Sequence, residues 1–132
     1  MKYPVLDWIL RLIPALILLQ TLFFKFTAAP ESVYIFSTLG AEPVGRIGSG
    51  IVELIAGICL LFRPSAGVGA LLAAGTMAGA ILSHLTILGI EIMGDGGQLF
   101  FMALIAFVCS AVVAWQYRTT IPVIGRYFVV TG

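Results

Sequence analysis

The sequence predicts an all-α integral membrane protein, a bundle of four transmembrane helices with a short amphipathic helix between the first and second spans. Three observations support this prediction. The mean hydropathy is +1.13, only 10% of the 132 residues are charged against about a quarter in soluble domains, and the apolar residues fall into four blocks. Each block is about 20 residues long, enough to cross a hydrocarbon core about 30 Å thick. We therefore expect one transmembrane domain over residues 1–132.

The four apolar blocks set the limits of the predicted spans, which cover approximately residues 5–26, 45–62, 66–88 and 98–117. Lys25 interrupts the first block near its end, so we expect this block to be retained as a span and not removed as a signal peptide. The third span carries small residues at helical spacing, which let membrane helices approach closely. These are Ala70, Ala73, Ala74 and Ala80, in a stripe that also holds Met77 and leads to His84.

The segments between the spans carry helix and turn signals. Pro30 suits the start of a helix and Gly40 its end, so we expect a short amphipathic helix there, lying on the surface or covering the bundle. Arg63-Pro-Ser65 predicts a tight turn, and Asp95-Gly-Gly-Gln98 predicts an N-cap with a capping-box glutamine. We expect the tail, residues 119–132, to lie along the membrane interface.

The basic residues predict the orientation of the chain. Five of them fall on the side of the predicted termini: Lys2, Arg11, Arg63, Arg118 and Arg126. Lys25 and Arg46 fall on the other side, with Glu31, Glu42, Glu91 and Asp95. Because basic residues concentrate on the cytoplasmic side, both termini are expected in the cytoplasm. We expect a multi-pass protein of the cytoplasmic membrane of a bacterium or archaeon.

Polar side chains inside the spans converge on the outer half of the predicted bundle. Glu53 lies well inside an apolar run, and a lone charge there costs several kcal/mol, on the order of 3 on insertion scales, so it needs a partner. Lys25, His84 and Gln20 are the candidates, and together with Glu53 they predict a ligand-binding pocket. Secondary candidates are Arg46, as a residue at the lip of the pocket or a headgroup anchor, and Asp95 and Gln98, which the sequence favours as a helix cap.

Two interpretations of this polar layer stay open. A pocket of this kind could bind a quinone head group, a small polar solute or a proton, since histidine titrates near neutral pH and desolvation can raise the pKa of a carboxylate toward it. The layer could equally be a closed Lys25–Glu53 ion pair with His84 beside it, locking the helices together.

Other classes of function lack support in the sequence. The net charge of +1 does not predict nucleic-acid binding. The lone His84 and the isolated Cys59 and Cys109 predict no metal site and no redox dithiol. No activated nucleophile is recognisable, so we expect no catalytic residue and no catalysis by this chain alone.

Several short segments, in order and spacing, resemble the DoxX family of small four-span membrane proteins over about residues 12–118. The matching segments are Phe24-Lys25-Phe26, Glu53-Leu-Ile-Ala-Gly57, Leu60-Leu-Phe-Arg-Pro64, Ala80-Ile-Leu-Ser-His84-Leu and Asp95-Gly-Gly-Gln-Leu99. The resemblance implies a four-helix membrane bundle. Where family members commonly carry a glutamate at the start of the last span, this chain has Gln98.

The resemblance also implies a function, because one branch of the family is a subunit of a thiosulfate:quinone oxidoreductase. The first hypothesis is therefore an accessory subunit of a membrane redox complex that binds a quinone or a similar amphiphile. The alternatives are a proton-coupled carrier of a small solute, and a purely structural or assembly protein. Expected partners are the lipid bilayer and either a redox complex or a second copy of the chain, because one four-helix unit is small for alternating access.

Overall fold

The protein is all-α over residues 4–121, the range that the computed structural model describes, and the predicted fold class is confirmed. In that range the α-helices are α1 Pro4–Phe26, α2 Pro30–Thr38, α3 Val44–Leu61, α4 Arg63–Ser83 and α5 Gln98–Gln116. A π-helical turn, His84–Leu88, extends α4, and a 3-10 turn, Arg118–Thr120, follows α5. The helices α1, α3, α5 and α4 with its π-helical turn are each long and apolar enough to cross a membrane.

The four long helices form a ring in which each packs against two neighbours: α1 lies next to α3 and α5, and α4 lies next to the same two helices. Neighbours are antiparallel, since Arg11 near the start of α1 reaches Leu60 near the end of α3. The short helix α2 packs against α1, α3 and the π-helical turn. It lies where α1 ends and α3 begins, a region we call the α2 end; the other end of the bundle is the opposite end.

Small residues bring the helices close together. Ala56, Ala70 and Ala73 are fully buried in the core between the helices. A Cβ atom added at Gly69 would lie 2.8 Å from the carbonyl oxygen of Ala56 and 2.8 Å from the amide nitrogen of Leu60, so α4 touches the backbone of α3 there. Two members of the small-residue stripe predicted for the third span, Ala70 and Ala73, are therefore buried in the core, and the neighbouring Gly69 makes the close helix contact.

The structure differs from the prediction at the link between the second and third spans. The tight turn predicted at residues 63–65 is wrong, because α3 ends at Leu61 and α4 already begins at Arg63. Proline fits the first turn of a helix, where its missing N–H costs nothing, so Pro64 starts α4 instead of interrupting the chain. The Ser65 hydroxyl donates to the Cys59 carbonyl at 2.9 Å and closes the link. From residue 122 onward, the predicted interfacial tail lies outside the residues that the structure describes.

Candidate functional site

An ion pair joins α1 to α3 at the α2 end. The Lys25 ammonium contacts the Glu53 carboxylate, and the Thr21 hydroxyl donates to the second carboxylate oxygen, Oε2, at 2.9 Å. Glu53 is 1% exposed. Thr21 and Lys25 lie one turn apart on α1, so both face α3 at the depth of Glu53. The carboxylate that the sequence places at membrane depth therefore has a cation and a hydroxyl as partners.

The imidazole of His84 is held in place by the π-helical turn. Its Nδ1 atom lies 2.8 Å from the carbonyl oxygen of Gly89, and its ring packs edge-on against Phe100 with the centroids 5.5 Å apart. His84 is buried. Single π-helical turns frequently mark functional sites, and this one fixes the ring between α4 and α5.

A cavity of about 550 Å³ opens between the helices at the α2 end. All four primary candidates line it, and so do two of the three secondary ones: Gln20, Lys25, Glu53, His84, Asp95 and Gln98. Apolar walls come from residues such as Ile17, Leu18, Met77 and Met102, and α2 covers one side with Ile35 and Phe36. Among the described residues, no hydrogen bond joins His84 to Glu53, so these two side chains share the cavity without touching.

Arg46 has a different place from the one expected. The predicted headgroup anchor or lip residue is buried, and its guanidinium pairs with Glu42 at 2.8 Å and donates to the Lys25 carbonyl oxygen. The last carbonyls of a helix have no partner within the helix, so Arg46 caps α1 from the first turns of α3. Arg46 does not line the cavity and instead fixes the backbone that carries Lys25.

Asp95 belongs to the loop between the π-helical turn and α5. Its carboxylate accepts hydrogen bonds from the backbone N–H groups of Ile92, Gly97 and Leu99 at 2.8 to 3.2 Å. Burial by itself would raise the pKa of Asp95, but these hydrogen bonds and the nearby His84 outweigh it and lower the pKa.

The predicted capping box is wrong in its details, although Asp95 does bind the start of α5. The N-cap residue is Gly97, and the Gln98 amide points to the sulfur of Met102 at 4.0 Å instead of reaching back. Gly97 has a φ of +90°, a left-handed conformation that glycine adopts readily. This conformation turns the chain so that the Asp95 carboxylate, two residues earlier, meets the free N–H groups.

Sequence reasoning missed Thr21. The sequence analysis names Gln20 as a candidate partner of Glu53, yet Gln20 is exposed while Thr21 binds Glu53. Adjacent helical residues point about 100° apart, whereas residues four apart share a face. The spacing of Thr21 and Lys25 was therefore the available signal.

A second polar cluster lies at the opposite end. Asp7 and Arg11 pair at 3.2 Å, as their spacing predicts, but both are fully buried. The Tyr117 hydroxyl donates to Asp7 at 2.7 Å, Arg11 donates to the Leu60 carbonyl at 3.1 Å, and Arg63 lies 3.8 Å from Asp7. Burial, followed by the hydrogen bond to Asp7, raises the pKa of Tyr117. This cluster ties α1 to α3, α4 and the end of α5.

The fold and the apolar surfaces of its long helices define a multi-pass membrane protein in contact with the lipid bilayer. Within residues 4–121, no group of three or more histidine, cysteine, aspartate or glutamate side chains is arranged to hold a metal ion. The chain matches no protein-family model, no curated protein and no solved structure. The DoxX resemblance therefore stays a prediction.

Proposed function

We propose that this protein is a DoxX-like accessory subunit of a membrane redox complex, and that it binds the head group of a quinone or a similar small amphiphile at the α2 end. The observation that carries the proposal is the cavity of about 550 Å³, which combines apolar walls with the Lys25–Glu53 pair and His84. Binding sites for small molecules typically measure about 300–1,000 Å³ and hold a few placed polar groups among apolar ones.

The distribution of polar atoms suits an amphiphile. The ammonium of Lys25 and the imidazole of His84 offer hydrogen-bonding groups for a ring head group, while Met77 and Met102 offer adaptable apolar surface beside them. The cavity lies between membrane spans, so an apolar ligand tail has lipid within reach.

The distribution of basic residues supports an orientation with both termini in the cytoplasm and the cavity toward the outer surface. Arg63 is exposed at the opposite end and Arg118 follows α5 there, whereas Arg46 at the α2 end is buried in a pair with Glu42. The sequence predicts five basic residues toward the opposite end and two toward the α2 end, as positive-inside logic requires of a cytoplasmic face at the opposite end. We place the protein in the cytoplasmic membrane of a bacterium or archaeon.

The proposal is tested by binding. The protein is reconstituted in nanodiscs, and the equilibrium binding of a short-chain benzoquinone is measured for the unaltered chain, for Glu53→Gln and for Glu91→Gln. Glu91→Gln is the matched control, because Glu91 is an exposed loop carboxylate that does not line the cavity. We expect Glu53→Gln to weaken binding about tenfold or more and Glu91→Gln to leave it unchanged.

Equal binding by all three proteins would overturn the ligand site. Purification from native membranes supplies the second arm, with organic extracts analysed for quinone and co-purifying proteins identified. Absence of both a quinone and a redox partner would overturn the accessory-subunit role.

A structural role is the second candidate, and the closed Lys25–Glu53 pair favours it. In that case the double variant Lys25→Met with Glu53→Leu should stay folded and keep its partner, because a buried ion pair can be replaced by apolar residues at little cost. Loss of quinone binding without loss of folding in this variant would rule out a purely structural pair.

A further inference from the structure

The hydrogen bond of His84 fixes the position of the proton on its ring. A backbone carbonyl oxygen only accepts hydrogen bonds, so the contact from Nδ1 to Gly89 at 2.8 Å requires the hydrogen to sit on Nδ1. In the neutral imidazole the other nitrogen, Nε2, then carries a lone pair and acts as an acceptor. Phe100 packs against the ring and holds this orientation.

The remaining ionisable groups of the cavity are also rich in acceptors. Three carboxylates line it, those of Glu31, Glu53 and Asp95, against one ammonium, that of Lys25. The Lys25 ammonium donates one hydrogen to Glu53 and keeps two further N–H donors, while the Thr21 hydroxyl lies 2.9 Å from Glu53 Oε2 and 2.7 Å from the Leu18 carbonyl oxygen. Among the ionisable groups, a head group that donates hydrogen bonds meets Glu31, Glu53 and Nε2 of His84, whereas one that only accepts them meets the Lys25 ammonium.

We propose that the cavity selects a head group with free O–H donors, so that it binds the reduced hydroquinone form of its ligand in preference to the oxidised quinone, with His84 Nε2 accepting one hydroxyl hydrogen. This inference rests on the proposed function, since it names the form of the ligand that the same cavity takes. A quinone offers only two carbonyl acceptors, which leaves Nε2 without a partner. A buried polar atom without a partner weakens binding more than a made hydrogen bond strengthens it.

The test compares three probes that share one ring and one short alkyl tail: a hydroquinone, the corresponding benzoquinone, and the dimethyl ether of the hydroquinone. The ether keeps the reduced ring and removes both O–H donors. Binding is measured in nanodiscs without oxygen, which keeps the hydroquinone reduced. We expect the hydroquinone to bind about tenfold more tightly than the other two, equivalent to about 1.4 kcal/mol.

Two variants test the roles of the two ring nitrogens of His84 separately. His84→Asn places an amide N–H near the position of Nδ1, which keeps the bond to Gly89, and removes the acceptor at Nε2. His84→Gln places an amide oxygen near the position of Nε2, which keeps an acceptor, and removes the bond to Gly89. We expect His84→Asn to bind hydroquinone and its ether equally, and His84→Gln to keep part of the preference.

The outcomes distinguish this inference from the function on which it rests. If no probe binds in a way that Glu53→Gln weakens, the proposed function itself fails. If the probes do bind at the cavity, but the quinone or the ether binds as tightly as the hydroquinone, only the donor preference fails. A preference that persists fully in folded His84→Asn would overturn the role of Nε2.

Discussion

The two partners of the buried ion pair should respond very differently to removal. Lys25→Met leaves the Glu53 carboxylate, 1% exposed, with only the Thr21 hydroxyl as a partner. Glu53→Gln leaves the Lys25 ammonium, whose side chain is 15% exposed and sits one residue from the end of α1, where its long stem can reach the interface. Removing one member of a buried pair typically costs about 3–5 kcal/mol. We expect Lys25→Met to lie in that range and Glu53→Gln to cost about half as much.

The single variant Glu53→Leu and the double variant Lys25→Met with Glu53→Leu complete a double-mutant cycle with Lys25→Met. The double variant removes both charges, so its loss of stability should be smaller than the sum of the two single losses by at least about 1 kcal/mol, and this difference is the coupling energy. Unfolding in mixed detergent micelles, followed by circular dichroism, gives the free energy of unfolding for each protein. If the two single losses add up to the loss in the double variant, the charges do not interact, and the ion pair is not a source of stability.

Three further predictions concern packing and the loop. Gly69→Ala should cost about 1–3 kcal/mol of unfolding free energy because its Cβ meets the backbone of α3, whereas Gly75→Ala, with open space around it, should cost nothing in the same assay. Tyr117→Phe should cost about 1–2 kcal/mol by leaving Asp7 without a hydroxyl donor, and an unchanged unfolding midpoint would contradict this. The pKa of Asp95 is lowered in the folded protein, so its stabilising contribution is present above the unfolded pKa, near 3.8, and is lost as pH falls through the lower folded pKa. Stability of Asp95→Asn should depend less on pH between about 5 and 2 than that of the unaltered chain.

The four spans could be predicted from the sequence because few structures satisfy the backbone hydrogen bonds of a chain that is buried in lipid. An apolar run of about 20 residues that crosses the bilayer must pair its backbone N–H and C=O groups within itself, and it does so by forming a helix. The antiparallel order then placed Lys25, Glu53 and His84 at comparable depth, which depends only on counting residues along each span. Depth was therefore predictable before any side chain had been placed.

Rotation about each helix axis was harder to predict than depth. Apolar residues surround every span, since lipid and core are equally apolar, and the pattern of hydropathy does not distinguish the inner face. Gln20 and Thr21 show the consequence, because the exposed one was the candidate and the bonded one was missed. Arg46 shows a second consequence. An arginine near the end of a span can bind a lipid headgroup or cap a neighbouring helix, and the sequence does not distinguish the two.

The side chains near the bundle axis help to explain why the cavity of about 550 Å³ lies at the α2 end. At the opposite end, Arg11, Leu60 and Tyr117 fill the space between α1, α3 and α5, and hydrogen bonds fix them there. At the α2 end, α4 lines the cavity with the small residues Gly79 and Ala80 beside Met77, and Lys25 and Glu53 are paired with each other. Gly69 lets α4 pack closely against α3, and different small residues further along α4, Gly79 and Ala80, line the cavity. Small residues at both ends would leave the bundle without a packed core. The buried cluster of Asp7, Arg11 and Tyr117 therefore holds the helices together at the opposite end, while the α2 end keeps its cavity.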